Sequence, residues 1–203
     1  MQPQLEKLTN NLNTLFVHAE GSTSATVQVW FKAGSSLERA EEHGIAHFLE
    51  HMFFKGTKKR PGHLLAKEIE SFGGEINAFT SFDYTCYYIN CPNDKIKDSC
   101  DALMDMISNP TFKQAELVPE RGVVLEEYKR MIDSPNQYSF YKIQKKFLGG
   151  KYSHPILGRV KTINNFTQTQ LKQFRNNYYN NQNSLLVVAG DLNDKPNIKK
   201  QIE

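Results

Sequence analysis

Cysteine is scarce in this 203-residue chain. Cys86, Cys91 and Cys100 are odd in number and form no Cys-x-x-Cys pair. That excludes a disulfide framework and a thiolate zinc site, and it makes a reducing, cytoplasmic setting the default expectation. No apolar run approaches the ~20 residues of a membrane span. Residues 1–14, MQPQLEKLTNNLNT, carry neither the apolar core of a signal peptide nor an Arg-rich amphipathic pattern, so the start reads as that of a mature protein. The net charge is only +3, and no Lys/Arg block is interleaved with aromatics, so nucleic acid is not an expected partner. The tight basic cluster of the first half, Lys58-Lys59-Arg60, reads as a solvated loop. Gly-x-Ser-x-Gly elbows, Walker loops and Rossmann glycine patterns are missing, and the cysteines have no convincing histidine partner. A nucleophilic hydrolase and a nucleotide enzyme are therefore unsupported.

What is present is an ordinary globular composition, 39% hydrophobic and 23% charged, with no repeat and no low-complexity linker. Residues 25–33 alternate Val27, Val29 and Phe31 on one face, as a half-buried strand does, and residues 12–18 are the expected partner. A helix is predicted over 38–54, and a shorter one over 64–72 ended by Gly73-Gly74. Residues 75–82 and 84–91 read as two strands. Ile96, Cys100, Leu103 and Ile107 recur at helical spacing over 94–108. Pro119 is expected in the first turn of a helix reaching about residue 131. Further helices are expected over 138–148 and 167–179, then a buried strand over 185–189 and a polar tail. Adjacent strand pairs without a βαβ rhythm imply an α+β fold, a mostly antiparallel sheet packed against helices, in one domain spanning residues 1–203.

One stretch sets two histidines and a glutamate in an apolar run: residues 44–57, GIAHFLEHMFFKGT. On a helix, positions i, i+3 and i+4 share a face, so His47, Glu50 and His51 project together. Two imidazoles one turn apart can close on a divalent ion such as zinc, and the carboxylate between them can take a proton from water. The motif alone also arises by chance. A hydrolytic zinc site has three protein ligands, and residues 120–127, ERGVVLEE, offer donors. Glu120 and Glu127 lie two turns apart on nearly one face, with Val123 and Val124 bracketing that stripe, while Glu126 points roughly 100° away. Spacing does not separate a ligand from an ordinary solvated glutamate pair.

The stretch HFLEHMFFKGT resembles the inverted zinc motif of the pitrilysin, insulin-degrading enzyme and mitochondrial processing peptidase family of zinc metallopeptidases. The resemblance extends through KAGSSLERAEEHGIAHFLEHMFFKGT, SFGGEINAFTSFDYTCYY, ERGVVLEEYKRMIDSP, HPILG and LLVVAGDL, in family order. It implies one zinc ion per chain held by His47, His51 and Glu127, with Glu50 as general base and Glu120 as a supporting carboxylate of the catalytic apparatus. It makes residues 73–80 a substrate-side edge strand, with Asn77, Ala78, Phe79 and Thr80 meeting an extended peptide. It also implies a clamshell whose second homologous domain, absent from this chain, supplies an arginine and a tyrosine, so weak activity and an exposed apolar face are expected of this part alone. The other implied reading is a metal-retaining, non-catalytic subunit that works beside a partner half. His43 is assigned a capping or surface role and His154 a structural one.

Overall fold

The computed structural model describes residues 3–203. Pro3–Lys7 (β1), Asn13–His18 (β2) and Ser24–Phe31 (β3) open the chain, followed by the helices Ile45–Phe53 (α1) and Leu64–Ser71 (α2). Glu75–Thr80 (β4) and Thr85–Pro92 (β5) form a hairpin that leads into Ile96–Ser108 (α3), Gln114–Asp133 (α4), Pro135–Leu148 (α5), Val160–Asn165 (α6) and Gln168–Tyr178 (α7). Ser184–Gly190 (β6) and Lys195–Ile202 (α8) close it. The six strands make one sheet in the order β1-β2-β6-β3-β5-β4, antiparallel except for the β2–β6 pair. The α+β, mostly antiparallel expectation holds.

Alternation decides which face is buried. Ala25, Val27, Val29 and Phe31 of β3 and Leu186 and Val188 of β6 point to the same side, in the register Val27↔Val188 and Val29↔Leu186. Against that face pack Phe48, Leu49, Met52 and Phe53 of α1, Leu103 and Met106 of α3, and Leu171 and Phe174 of α7. The Phe53 ring lies 5.1 Å from Tyr87, 5.4 Å from Phe112 and 5.6 Å from Tyr179, which fixes α1 against the sheet from several directions. No helix among the described residues is long and apolar enough to cross a membrane. α5 buries none of its side chains and leaves Phe140, Ile143, Phe147 and Leu148 in solvent.

Several expectations are corrected. β2 does not pair with β3. The apolar strand β6 takes the central place between them, because a strand this rich in Leu and Val gains most where both its edges are covered. The helix predicted over 38–54 starts only at Ile45, after two 3₁₀ turns at Ser35–Leu37 and Ala40–Glu42. Pro119 does not open its helix. α4 begins at Gln114 and carries the proline in its interior, where Pro119 cannot donate to the carbonyl one turn back. The polar tail is the helix α8, which buries Ile198 and Ile202 at i, i+4 spacing.

Arg60 is not solvated. It is 5% exposed, and its guanidinium reaches Glu68 on α2 at 2.7 Å and Asp101 and Asp105 on α3 at 2.5 and 3.2 Å. Thr57 also donates to Asp105 at 2.7 Å, so the loop after α1 is pinned to α2 and α3. Burial pushes Asp101 and Asp105 up, but hydrogen bonds from Lys59 and Arg60 to the former, and from Thr57, Asn109 and Arg60 to the latter, outweigh it and hold both below their ordinary value. A depressed carboxylate stabilises the fold above its unfolded value, ~3.9 for Asp, and that contribution is lost as the pH falls through the folded value. Arg60→Ala is expected to cost about 2–4 kcal/mol at pH 7 and less at pH 3, as read by urea denaturation at the two pH values.

Candidate metal centre

α1 splits its side chains between two duties. Phe48, Leu49, Met52 and Phe53 face the core, whereas His47 and His51 turn towards α4 and Glu50 meets Thr80 of β4. α4 answers with a stripe of Leu117, Glu120 and Val124, all buried, continued by the half-buried Glu127. Val123 does not bracket this stripe as expected. It is 47% exposed, because one step along a helix turns a side chain by roughly 100°. Glu126 is exposed and pairs with Lys129, as predicted for the solvated member.

His47 Nε2 lies 3.6 Å and His51 Nε2 3.5 Å from the same Glu127 oxygen, and the donor atoms of all three residues fall within 4.8 Å of one another. Tetrahedral zinc with bonds of ~2.0–2.1 Å sets its donors ~3.3–3.4 Å apart. The separations to Glu127 and the two-nitrogen, one-oxygen donor set therefore fit such an ion. His51 Nδ1 meets Glu120 Oε1 at 2.7 Å, which directs Nε2 towards Glu127. The second Glu120 oxygen contacts the Lys55 ammonium. His47 has no such support: its Nδ1 is buried without a hydrogen-bond partner among the described residues.

These surroundings set the charges. Burial, then the neighbouring His51, pulls His47 down to about 4, so it is neutral at physiological pH. Burial also pulls His51 down, but Glu120 and Glu127 together outweigh it and raise the imidazole to about 9. The His51 imidazole beside Glu127 holds that carboxyl below its ordinary value despite partial burial. Burial pushes Glu120 up, yet His51 and Lys55 outweigh it and hold it low. Burial pushes the Glu50 carboxyl up, with the Thr80 hydroxyl acting against it through a 2.5 Å hydrogen bond to Oε2.

β4 is an edge of the sheet, and its two faces divide the residues expected to meet substrate. Ala78 and Thr80 face the helices, Ala78 against the core and Thr80 on Glu50. Asn77 folds its side-chain oxygen back onto the Ala78 amide at 2.8 Å. Phe79 is 41% exposed and packs 5.5 Å from the Trp30 ring, away from the histidines. His43 does not face the site but stacks on His154 at 3.7 Å, and His154 is buried against Ser35 and Glu38. Two features escaped the sequence reading. Lys55, one turn after His51, had a spacing signal. The Thr80–Glu50 contact, formed between residues 30 apart, had none.

A mixed sheet backing two helices that meet in two imidazoles and a carboxylate, with a half-buried glutamate between the two histidines in sequence, defines a metallopeptidase-type domain with the inverted His-x-x-Glu-His motif. Residues 13–158 match Insulinase (Peptidase family M16), and the chain belongs to that family. It is 38% identical over 172 residues to a protein of Bacillus subtilis named "Uncharacterized zinc protease YmxG", covering 84% of this chain and 42% of that one. It is 33% identical over 180 residues to "Mitochondrial-processing peptidase subunit beta" of Caenorhabditis elegans, covering 88% and 39%. The crystal structure of a protease from Helicobacter pylori superposes with a TM-score of 0.92 at 31% identity, covering 99% of this chain and 49% of that one. The chain thus spans about half or less of the length of the relatives it matches.

In metal-free protein the raised His51 value means that protonated His51 stabilises the fold. The contribution is fully present below ~6.5, the ordinary histidine value, and is lost as the pH rises through about 9. Glu120→Gln is expected to bring the His51 midpoint down by more than one unit, as followed by NMR titration of the ring in the presence of a chelator. An unmoved midpoint would show that Glu120 does not sustain it.

Proposed function

We propose that this chain is the metal-bearing half of a zinc-dependent endopeptidase acting on extended or unfolded peptides. The observation that supports this most is the meeting of His47, His51 and Glu127 beside Glu50. Zinc held by these three donors supplies Lewis acidity, bringing the pKa of water towards ~7 and polarising a carbonyl.

The residues of the chain do the rest. Thr80 anchors Glu50 Oε2 and leaves Oε1 to accept the proton of the attacking water and return it to the leaving amine. The burial that raises the Glu50 carboxyl moves it towards the working pH, where a general base that later acts as an acid is most effective. Glu120 holds His51 by its far nitrogen, and Lys55 balances the charge of Glu120. A peptide adds to the open edge of β4 as a further antiparallel strand, which lays its backbone beside Glu50. The Asn77 carboxamide gives up its bond to the Ala78 amide as the new strand takes that donor.

The second half of the catalytic chamber comes from a homologous domain or partner subunit. The relatives are about twice as long or longer, and one of them is named as a subunit. That half supplies the donors for the developing oxyanion, so this chain by itself binds zinc and hydrolyses peptides weakly.

Glu50→Gln is expected to retain one zinc ion per chain by elemental analysis and to lose hydrolysis of an unstructured peptide by ~10²–10⁴-fold. Glu127→Ala is expected to lose the metal itself. The peptide assay is run with and without a homologous second half. Unchanged cleavage by Glu50→Gln removes its role as base. Absence of any cleavage with the second half present supports instead a metal-retaining, peptide-holding subunit.

A further inference from the structure

We infer that Glu38 and His154 are positioning residues for His47, clamping the first turn of α1 so that this imidazole meets Glu127. The inference rests on the zinc reading above and adds to it two residues that lie outside the donor set.

The two histidines of the motif are held differently. His51 is aimed by a hydrogen bond from its Nδ1 to Glu120. His47 has no equivalent partner among the described residues, so no side-chain bond orients it. Its place therefore depends on the packing around the ring, 4.7 Å from that of His51, and on the backbone of the first turn of α1, and that backbone is gripped by Glu38. The Glu38 side chain has no exposed surface. One of its oxygens accepts from the Gly44 amide at 2.7 Å, and the other accepts from the amide of Ala46, the residue before His47, at 2.9 Å. His154 Nε2 lies 3.1 Å from Glu38 and 3.0 Å from the Ser35 carbonyl. Both of those neighbours are acceptors when Glu38 is ionised, so Nε2 carries the proton and donates.

The segment holding His154 continues the grip. The His43 ring lies flat on His154, at 3.7 Å with 8° between planes. Thr162 donates to the His43 carbonyl at 2.5 Å. A Cβ on Gly44, whose φ is +98°, would stand 2.7 Å from Gly158 Cα, so the two backbones touch because both residues are glycine. A serine or aspartate at the N-cap would suffice to start a helix. A fully buried carboxylate is a costlier device, and it is retained here with three donors around it, one of them from residues 116 positions away in the chain. That cost is understandable if the position of the helix start, and not merely its formation, matters to the neighbouring imidazole.

The test compares zinc affinity, measured against a competing chelator, and the visible spectrum of the cobalt-substituted protein across Glu38→Gln, His154→Ala and His154→Gln. In Glu38→Gln an amide nitrogen replaces one acceptor and faces a donor. It is expected to weaken zinc binding by at least about tenfold, in the range known for residues that orient a ligand, and to shift the cobalt bands. His154→Ala leaves the two backbone bonds of Glu38 in place, so it tests the clamp even if Glu38→Gln does not fold. It is expected to weaken binding less, and His154→Gln, whose amide can donate from a similar position, is expected to recover part of the loss. Ile198→Ala, which disturbs the remote helix α8, is the control for general loss of stability and is expected to keep wild-type affinity and spectrum. If wild type binds zinc and both Glu38→Gln and His154→Ala bind it with wild-type affinity and unchanged cobalt bands, Glu38 is only a helix cap and the inference is overturned. If wild type takes up no zinc, the zinc reading itself fails and the inference falls with it.

Discussion

Two imidazoles, three carboxylates and an ammonium crowd together where α1 meets α4 and β4, and the buried ones, His47 and Glu120 foremost, could not be held there alone at tolerable cost. Each is answered by another. Glu120 takes His51 on one oxygen and Lys55 on the other, Glu127 faces both imidazoles, and Thr80 reaches Glu50 from the sheet. The arrangement works only if α1 lies at one depth and one rotation relative to α4. The aromatic contacts of Phe53, the Arg60 network behind the helix and the Glu38–His154 pair before it all bear on that placement. The core therefore supports the site as well as the fold: the residues of α1 that face the sheet decide where the residues facing α4 can be.

How much of this was legible in the sequence depends on range. The facing of His47, Glu50 and His51 follows from a period of 3.6 and could be read directly. So could the alternation in β3, the Gly73-Gly74 stop after α2 and the solvated place of Glu126. Glu127 could not be told from any other exposed glutamate by spacing, because what singles it out is a neighbour on another helix. It was reached only through resemblance across several blocks. Arg60 was misread for the same reason, since a buried arginine and a surface one look alike until Glu68, Asp101 and Asp105 are brought round it. β6 was found as a strand but not as the central one, because pairing between residues about 170 apart leaves no local trace. The helix α8 did leave one, with Ile198 and Ile202 one turn apart after Pro196, but it is short and mostly polar.

The division of labour along β4 follows from strand geometry. Successive side chains point to opposite sides, so a single short strand presents Thr80 to the general base, adds Ala78 to the core and sends Phe79 into the aromatic group of Trp30, Tyr84 and Tyr88 on the far face. The Asn77 side chain covers the outward amide of Ala78. An edge strand is an open invitation to unwanted pairing. Here part of that invitation is withdrawn by a neighbour that a genuine partner strand can displace.

The central position of β6 has a consequence for how the molecule is made. Its two neighbours in the sheet, β2 and β3, are made well before it, yet each keeps a bare flank until residues 184–190 emerge. A nascent chain can close the β1–β2 and β4–β5 hairpins early, but the two blocks of sheet can join only once β6 has been made. Long-range closure of this sort is slow and leaves sticky strand flanks uncovered in the meantime. Assembly of the platform beneath α1 therefore awaits a strand made long after the helix itself.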